Sequence, residues 1–136
     1  MTPIDLFVIG TSTLLSALIL PGSTPDRAFR KADEAGRLAF SEETLSELKS
    51  VITRPKFDRY VSFSGRLAFL EKLVATGVQV PITHTVTACR DPKDNKFLEL
   101  ALSASAAAII SGDDDLLVLH PFEDIAIFSP AAYLAS

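Results

Sequence analysis

The stretch AAIISGDDD, residues 107–115, contains the pattern that decides the fold class. Four apolar residues follow one another without interruption, Gly112 ends the run soon afterwards, and three aspartates come next. An unbroken apolar run of this length is typical of a strand that is covered on both faces of a sheet. In sheets of parallel strands, ligands bind outside the carboxyl ends, so we expect the chemistry of this chain at that edge.

The same kind of apolar run recurs along the chain, and segments with helical spacing separate the runs. Strands are predicted at residues 4–9, 38–40, 78–80, 107–110 and 125–128, and helices at 11–20, 24–35, 41–52, 66–75 and 91–105, with a last short helix after Ser129. Helices that alternate with buried strands indicate a three-layer α/β/α sandwich around a central, mostly parallel five-stranded sheet.

Local signals set the expected bounds of two of these helices. Thr24, which precedes a proline, is expected to cap the second helix, and Gly36 is expected to end it. The helix at 66–75 is amphipathic, and the spacing of its apolar residues predicts an inner face that consists of Leu67, Leu70, Leu73 and Val74.

Composition restricts the class of protein. The chain has 136 residues, of which 48% are hydrophobic and 22% charged; this predicts one domain, residues 1–136, and excludes a disordered chain. A single cysteine, Cys89, and two histidines exclude an internal disulfide and zinc or iron–sulfur centres built on cysteine or histidine clusters. The net charge of −4 argues against a protein that binds nucleic acid mainly through bulk positive charge. An enzyme that meets phosphate through a bound metal ion stays possible, because the ion supplies positive charge locally.

Residues 6–25 contain no charged side chain and are long enough to cross a bilayer. The run is nevertheless interrupted by glycine, serine, threonine and proline, and the first charged side chain before it is Asp5, so a basic leader is missing. The interpretation is a buried strand followed by a helix. We therefore expect a cytoplasmic protein without a membrane segment.

Several acids lie next to the predicted strand ends. Asp113, Asp114 and Asp115 follow the fourth strand, and Glu47 lies one turn inside the helix after the second. Adjacent carboxylates repel one another, and oxygen ligands without histidine or cysteine suit Mg²⁺ or Mn²⁺. Asp94 begins the helix that leads into the fourth strand, so chain order alone predicts that it lies at the far end of that strand.

Other interpretations of these acids stay open at this point. Asp94 is also a favourable residue for a helix N-terminus, and Asp113 and Asp115 suit the cap of a short helix over residues 114–119. Glu47 alone would fit a solvated helix surface. The chain contains neither a glycine-rich phosphate loop nor the G-x-S-x-G motif of serine hydrolases.

Five segments, in this order and spacing, resemble the PIN-domain family, in particular its branch described as toxin components of toxin–antitoxin systems. The segments are TSTLLSAL at 11–18, SEETLSEL at 41–48, RPKF at 54–57, CRDPKDNKFL at 89–98 and SGDDDLL at 111–117. The resemblance covers nearly the whole chain. It implies an α/β/α sandwich, metal-dependent endonucleolytic cleavage of RNA, an antitoxin partner and a homodimer.

By position in these segments, Glu47, Asp94 and Asp113 match the acidic residues of the family that hold Mg²⁺ or Mn²⁺ and carry catalysis. Asp115 matches an additional acid that is frequent there. The resemblance also implies that the start of the Asp94 helix lies near the strand ends, which chain order alone does not predict.

One position departs from the family pattern. The family has an aspartate at the end of the first strand, in a D-T-N or D-T-S motif, whereas this chain has Gly10-Thr11-Ser12. Asp5 cannot replace that acid, because five residues of strand separate the two positions by roughly 16 Å. Thr11 and Ser12 are expected to contact the phosphate of the substrate. The missing ligand predicts weakened catalysis, since misplaced groups can cost orders of magnitude in rate.

Two alternatives follow from Gly10. The chain could be a non-catalytic relative that binds RNA or a partner protein, and the glycine favours that. A phosphoacceptor domain on a similar sandwich needs an aspartate at this strand end, so the glycine disfavours it. A basic segment with Arg54, Lys56 and Arg59 could guide RNA or be a solvated face.

Overall fold

In the computed structural model, which describes residues 3–136, five strands form one sheet. The strands are β1 (Asp5–Ile9), β2 (Gly36–Phe40), β3 (Val78–Gln79), β4 (Ala108–Ile110) and β5 (Ala126–Phe128). Their spatial order is β3-β2-β1-β4-β5, and every neighbouring pair is parallel. The predicted parallel five-stranded sheet is therefore confirmed.

Helices cover both faces of the sheet. They are α1 (Thr11–Ile19), α2 (Thr24–Ala35), α3 (Glu42–Ile52), α4 (Phe63–Thr76), α5 (Asn95–Ala104), α6 (Asp114–Leu117) and α7 (Pro130–Ala135). None of the helices within residues 3–136 combines the length and the apolar character needed to cross a bilayer.

Two buried clusters explain why the strands are apolar without alternation. Val8 and Ile109 belong to a cluster with Leu98 of α5, whereas Ile9 and Ile110 belong to a second cluster that contains side chains of α1 to α4 and α7. Successive side chains of a strand point to opposite faces. Because each face has its own helical cover, all of β4 and the last three residues of β1 are buried.

The predicted bounds of the second helix, residues 24–35, are confirmed, but its N-terminal cap is not the predicted residue. Ser23, not Thr24, is the cap of α2, since its hydroxyl accepts a hydrogen bond from the backbone N–H of Asp26 at 3.3 Å. Gly36 ends the helix as expected, and it is at the same time the first residue of β2, paired with Asp5 of β1. A Cβ at Gly36 would lie 2.1 Å from the carbonyl oxygen of Asp5, so the close approach of the two strands requires glycine there.

Helix α4 differs from its prediction in length and in its inner face. It begins at Phe63 rather than at residue 66. Ser62 is its N-terminal cap, because its hydroxyl accepts a hydrogen bond from the N–H of Gly65. Val74, expected inside, is 40% exposed, and the fully buried residue is Arg66. The apolar spacing could not predict this, because the side chain that faces inward on the first turn is charged.

The sheet topology decides where the strand ends meet. The chain leaves β1 toward β2 on one side and returns to β4 on the other, so the connections diverge at the carboxyl ends of β1 and β4. Such a divergence point is where open α/β sheets bind their ligands. Here the N–H of Gly10 donates a hydrogen bond to the carbonyl of Ile110 at 2.9 Å, which brings the residues after the two strands side by side.

Candidate functional site

A cleft of about 360 Å³ lies at this carboxyl edge, beside the ends of β1 and β4. Its walls include five of the six residues predicted from the sequence, namely Thr11, Ser12, Glu47, Asp94 and Asp113. They come from the first turn of α1, the second turn of α3, the turn before α5 and the loop after β4. Residues far apart in the chain therefore meet in one polar depression.

Three carboxylates form the acidic cluster of the site, defined by Asp94, Asp113 and Asp115. One oxygen of each lies within 4.8 Å of the others. Asp113 is the cap of α6 and accepts a hydrogen bond from the N–H of Asp115 at 2.9 Å. The N–H of Asp113 donates in turn to the hydroxyl of Ser111 at 3.1 Å. The turn after β4 therefore holds Asp113 and Asp115 close to Asp94.

The prediction from chain order that Asp94 lies at the far end of β4 is wrong. Asp94 ends a short 3₁₀ turn, Pro92–Asp94, immediately before α5. A helix that leads into a parallel strand runs antiparallel to that strand. Ten residues of α5 span about 15 Å, so the helix begins back at the carboxyl edge. The placement implied by the family resemblance agrees with the structure.

Glu47 lies in the cleft but not in the acidic cluster. Its Oε1 accepts a hydrogen bond from the hydroxyl of Thr11 at 2.5 Å, and its Oε2 lies 2.5 Å from the ammonium nitrogen of Lys96. The exposed fraction is 31% for the Glu47 side chain and 13% for that of Lys96. Both carboxylate oxygens of Glu47 therefore have a partner supplied by the chain itself.

Sequence reasoning missed three residues of this site. Lys96 forms an ion pair with Glu47, and Arg90 lies 3.2 Å from a carboxylate oxygen of Asp115. The hydroxyl of Ser111 accepts a hydrogen bond from the N–H of Asp113. The available signal was that Arg90 and Lys96 flank Asp94 within the segment 89–98, where cations among acids are candidates for pairing. Their partners lie in other elements, which local spacing does not reveal.

The acidic cluster changes the protonation of two nearby groups. Burial, a hydrogen bond with Asp113, and the charges of Asp113 and Asp91 raise the pKa of Asp94 from 3.8 to about 6, against a smaller lowering by Lys96. Burial and the surrounding aspartates raise the pKa of the Cys89 thiol from 9.0 to about 11. Cys89 is therefore a neutral thiol at pH 7, unsuited to act as a nucleophile.

Gly10 leaves the beginning of α1 without an acid. Its backbone is extended, with φ −63° and ψ 151°, and α1 has neither a side-chain cap nor an acid in its first turn. A Cβ at this position would lie 2.9 Å from the hydroxyl oxygen of Ser111 and 3.3 Å from its Cβ. The backbone would accept another residue, but the side chain of Ser111 occupies the adjacent space.

Comparisons with known proteins agree with this geometry. A family profile described as PIN domain matches residues 7–115. The uncharacterized protein MJ1680 of Methanocaldococcus jannaschii is 32% identical over 115 residues, which cover 83% of this chain and 74% of that protein.

Two solved structures share the fold. VapBC2 from Rickettsia felis, bound to a DNA fragment from its promoter, aligns with a TM-score of 0.60 at 8% identity over 91% of this chain and 98% of its own. PAE2754 from Pyrobaculum aerophilum aligns with a TM-score of 0.59 at 13% identity over 98% of this chain and 91% of its own. At these identities the likeness concerns the fold alone.

Proposed function

The chain belongs to the PIN-domain family, and on that premise we propose that it is an endoribonuclease that depends on Mg²⁺ or Mn²⁺. The observation that carries the proposal is the acidic cluster, in which three carboxylates approach within 4.8 Å at the carboxyl edge of a parallel sheet. Carboxylates this close repel one another, and a bound cation would relieve the repulsion. A phosphodiester of RNA is the substrate class that the family membership supports.

The donor set of the site fits a hard divalent cation. Asp94, Asp113 and Asp115 would hold the ion, and Glu47 lines the same cleft as the further acidic ligand and catalytic group that we assign. The raised pKa of Asp94 supports this, because a cation would take the place of the proton that Asp94 and Asp113 share. When bound, such an ion neutralises phosphate charge and activates water for hydrolysis.

The first turn of α1 supplies the substrate side of the proposed site. Thr11 and Ser12 line the cleft, and the backbone N–H groups of a helix N-terminus favour an anion. Thr11 also holds Glu47 through its hydroxyl. We assign these two residues to contact with the phosphate of the RNA backbone, next to the acidic cluster.

Gly10 favours a second candidate, a non-catalytic member that binds RNA or a protein. The family pattern has an acid at this position, and here the space for one is limited by Ser111. An oriented ligand can be worth orders of magnitude in rate. Catalysis by this chain is therefore proposed to be weak relative to a site with the complete set of acids.

The biological setting is likewise part of the proposal. VapBC2, a structural neighbour, is described as bound to its promoter DNA. By that analogy we propose that this chain is the toxin of a toxin–antitoxin pair, with an antitoxin protein as partner. A homodimer in the cytoplasm completes the proposal.

Titration of the purified chain with Mn²⁺ by calorimetry, together with cleavage of a labelled RNA, tests the proposal. Asp94→Asn is expected to lose both Mn²⁺ binding and Mn²⁺-dependent cleavage. Asp114→Asn is the matched control, because Asp114 is an exposed neighbour outside the acidic cluster. Cleavage that survives in Asp94→Asn would contradict the proposal, and Mn²⁺ binding without any cleavage would favour the non-catalytic alternative.

A further inference from the structure

The segment between α3 and α4 has a surface composition unlike the rest of the chain. We call residues 54–63 the basic loop. It exposes three cations, Arg54, Lys56 and Arg59, and two aromatic side chains, Tyr60 at 53% and Phe63 at 51% exposure. None of the three cations pairs with a carboxylate within residues 3–136, although the chain as a whole has a net charge of −4.

A buried arginine holds the basic loop in shape. The guanidinium of Arg66 donates to the carbonyl oxygens of Ile52 at 3.0 Å and Arg54 at 2.8 Å, and it contacts the carboxylate of Asp58. Arg66 is 0% exposed, and its Nε has no hydrogen-bond partner in the described residues. A fully buried guanidinium is expensive, so the conformation that it enforces is unlike that of an ordinary solvated turn.

Two cations of the basic loop lie beside aromatic rings. The ammonium of Lys56 lies 5.2 Å from the ring centroid of Phe57, and the guanidinium of Arg59 lies 5.4 Å from that of Tyr60. Phe57 is buried and anchors the loop, whereas Tyr60 presents its ring to solvent. Cations beside exposed rings are the two elements of a surface that binds single-stranded nucleic acid.

The basic loop follows directly on the helix that carries Glu47. Five residues of α3 separate Glu47 from Ile52 at the end of the helix, which corresponds to about 8 Å along its axis. Single strands occupy sites of about 4–16 nucleotides on an OB-fold domain, another kind of single-strand binding protein. A strand in the cleft is therefore long enough to extend onto the basic loop.

We propose that the basic loop is a binding surface for single-stranded RNA, in which Arg54, Lys56 and Arg59 contact phosphates and Tyr60 and Phe63 stack on bases. The inference rests on the proposed function for the nature of the substrate. It deepens that function by assigning strand binding to a surface outside the acidic cluster.

Binding of a fluorescein-labelled oligouridylate of about 12 nucleotides, followed by anisotropy in EDTA, tests the surface without catalysis. The variant Arg54→Gln/Lys56→Gln/Arg59→Gln is expected to weaken binding about tenfold. Because each phosphate contact contributes about 0.7 to the slope of log K against log salt, the slope should fall by about 2. Tyr60→Ala should weaken binding about fivefold with an unchanged slope, since stacking is not ionic.

The control removes the same charge from other exposed cations, in Arg27→Gln/Arg37→Gln/Lys72→Gln. If this variant loses as much affinity as the basic-loop variant, bulk charge explains binding and the proposal is overturned. It is also overturned if the basic-loop variants bind normally and Tyr60→Ala changes only the sedimentation behaviour, which would indicate a protein interface. Cleavage in Mn²⁺ is measured separately. If the chain binds RNA through the basic loop but does not cleave it, the proposed binding surface is supported and the proposed nuclease activity is rejected.

Discussion

Lys96 and Glu47 form an ion pair at the edge of the cleft, with 2.5 Å between the ammonium nitrogen and Oε2. The pair connects the first turn of α5 with α3. Thr11 of α1 is the second partner of Glu47, since its hydroxyl donates a hydrogen bond to Oε1. The chain therefore places a cation of its own among the carboxylates. A monovalent ammonium and a divalent metal ion compete for the same negative potential.

Removal of that ammonium is expected to strengthen metal binding. In Lys96→Met the charge that opposes a second cation is lost while the aliphatic part of the side chain is kept. We expect Mn²⁺ affinity to rise about fivefold, the scale of an ion pair near the surface, about 1 kcal/mol. Calorimetric titration measures it, with the exposed neighbour Lys93→Met as control. An unchanged or lower affinity would mean that Lys96 supports the metal site.

The affinity for metal should also depend on pH through Asp94. Its pKa of about 6 means that binding below that pH must displace a proton. The apparent affinity for Mn²⁺ is expected to be level above pH 7 and to fall about tenfold per pH unit below 6. Titrations in buffers of different ionisation enthalpy report the released proton. The range of about pH 5 to 7 brackets the pKa of Asp94. A Mn²⁺ affinity that does not change across this range would contradict the assignment of Asp94 as a metal ligand.

The same carboxyl group links stability to pH. The folded-state pKa of Asp94, about 6, exceeds the ordinary value of 3.8, so the native state binds more protons between these values. Stability contributed by the protonated form is present below about pH 4 and is lost as the pH rises through 6. In metal-free buffer, Asp94→Asn should therefore melt above the wild type at pH 7, and the gap should close at low pH. Asp114→Asn leaves Asp94 in place and is the control for the substitution itself.

The strands were predictable because both sheet faces are covered. Val8 and Ile9 point to different clusters, so both had to be apolar, and the unbroken run was readable without any knowledge of the partner strands. The requirement for glycine at position 36 was not predictable. It follows from the approach of β1, a contact between distant residues that no local pattern contains.

The candidate site was predictable only in part, for a similar reason. Residue types and the family resemblance pointed to Asp94 and Asp113, whereas chain order alone put Asp94 at the wrong end of β4. The pairing of Lys96 with Glu47 and the burial of Arg66 depend on contacts between helices. The functional roles of the six site residues, and one domain over residues 1–136, stay predictions.

Arg66 should be a large stability determinant. Its loss leaves the carbonyl oxygen of Ile52 without a donor, whereas that of Arg54 keeps the N–H of Phe57 at 3.1 Å. An unsatisfied buried group costs about 1–3 kcal/mol, and the packing of the buried side chain is lost as well. Arg66→Met is expected to lower the free energy of unfolding by about 3 kcal/mol, measured by urea denaturation. Arg66→Lys should recover only part, because one ammonium cannot reproduce the planar fork. Asp58→Asn should also lower stability, because it removes the carboxylate that neutralises the buried guanidinium, but by less than Arg66→Met since Asp58 itself is 64% exposed.

Gly10 and Ser111 offer the sharpest test of why this site lacks its first acid. The extended backbone at Gly10 accepts any residue, but a Cβ would lie 2.9 Å from the hydroxyl oxygen of Ser111. Gly10→Asp alone should therefore destabilise the chain by about 1–3 kcal/mol through overpacking. Ser111→Gly alone should cost about 1 kcal/mol, since the N–H of Asp113 loses its acceptor.

The double variant Gly10→Asp/Ser111→Gly separates steric from functional effects. If Ser111 is what obstructs an acid, the two changes are coupled: the double variant should be more stable than the sum of the single ones by about 1 kcal/mol or more. It should also bind Mn²⁺ more tightly than the wild type, because the added carboxylate extends from the end of β1 into the cleft that holds the acidic cluster. Urea denaturation measures the coupling and calorimetry the affinity. If the two changes in the free energy of unfolding are strictly additive, Ser111 does not obstruct a side chain at position 10. If the Mn²⁺ affinity is unchanged, the acidic cluster binds the ion equally well without an aspartate at position 10.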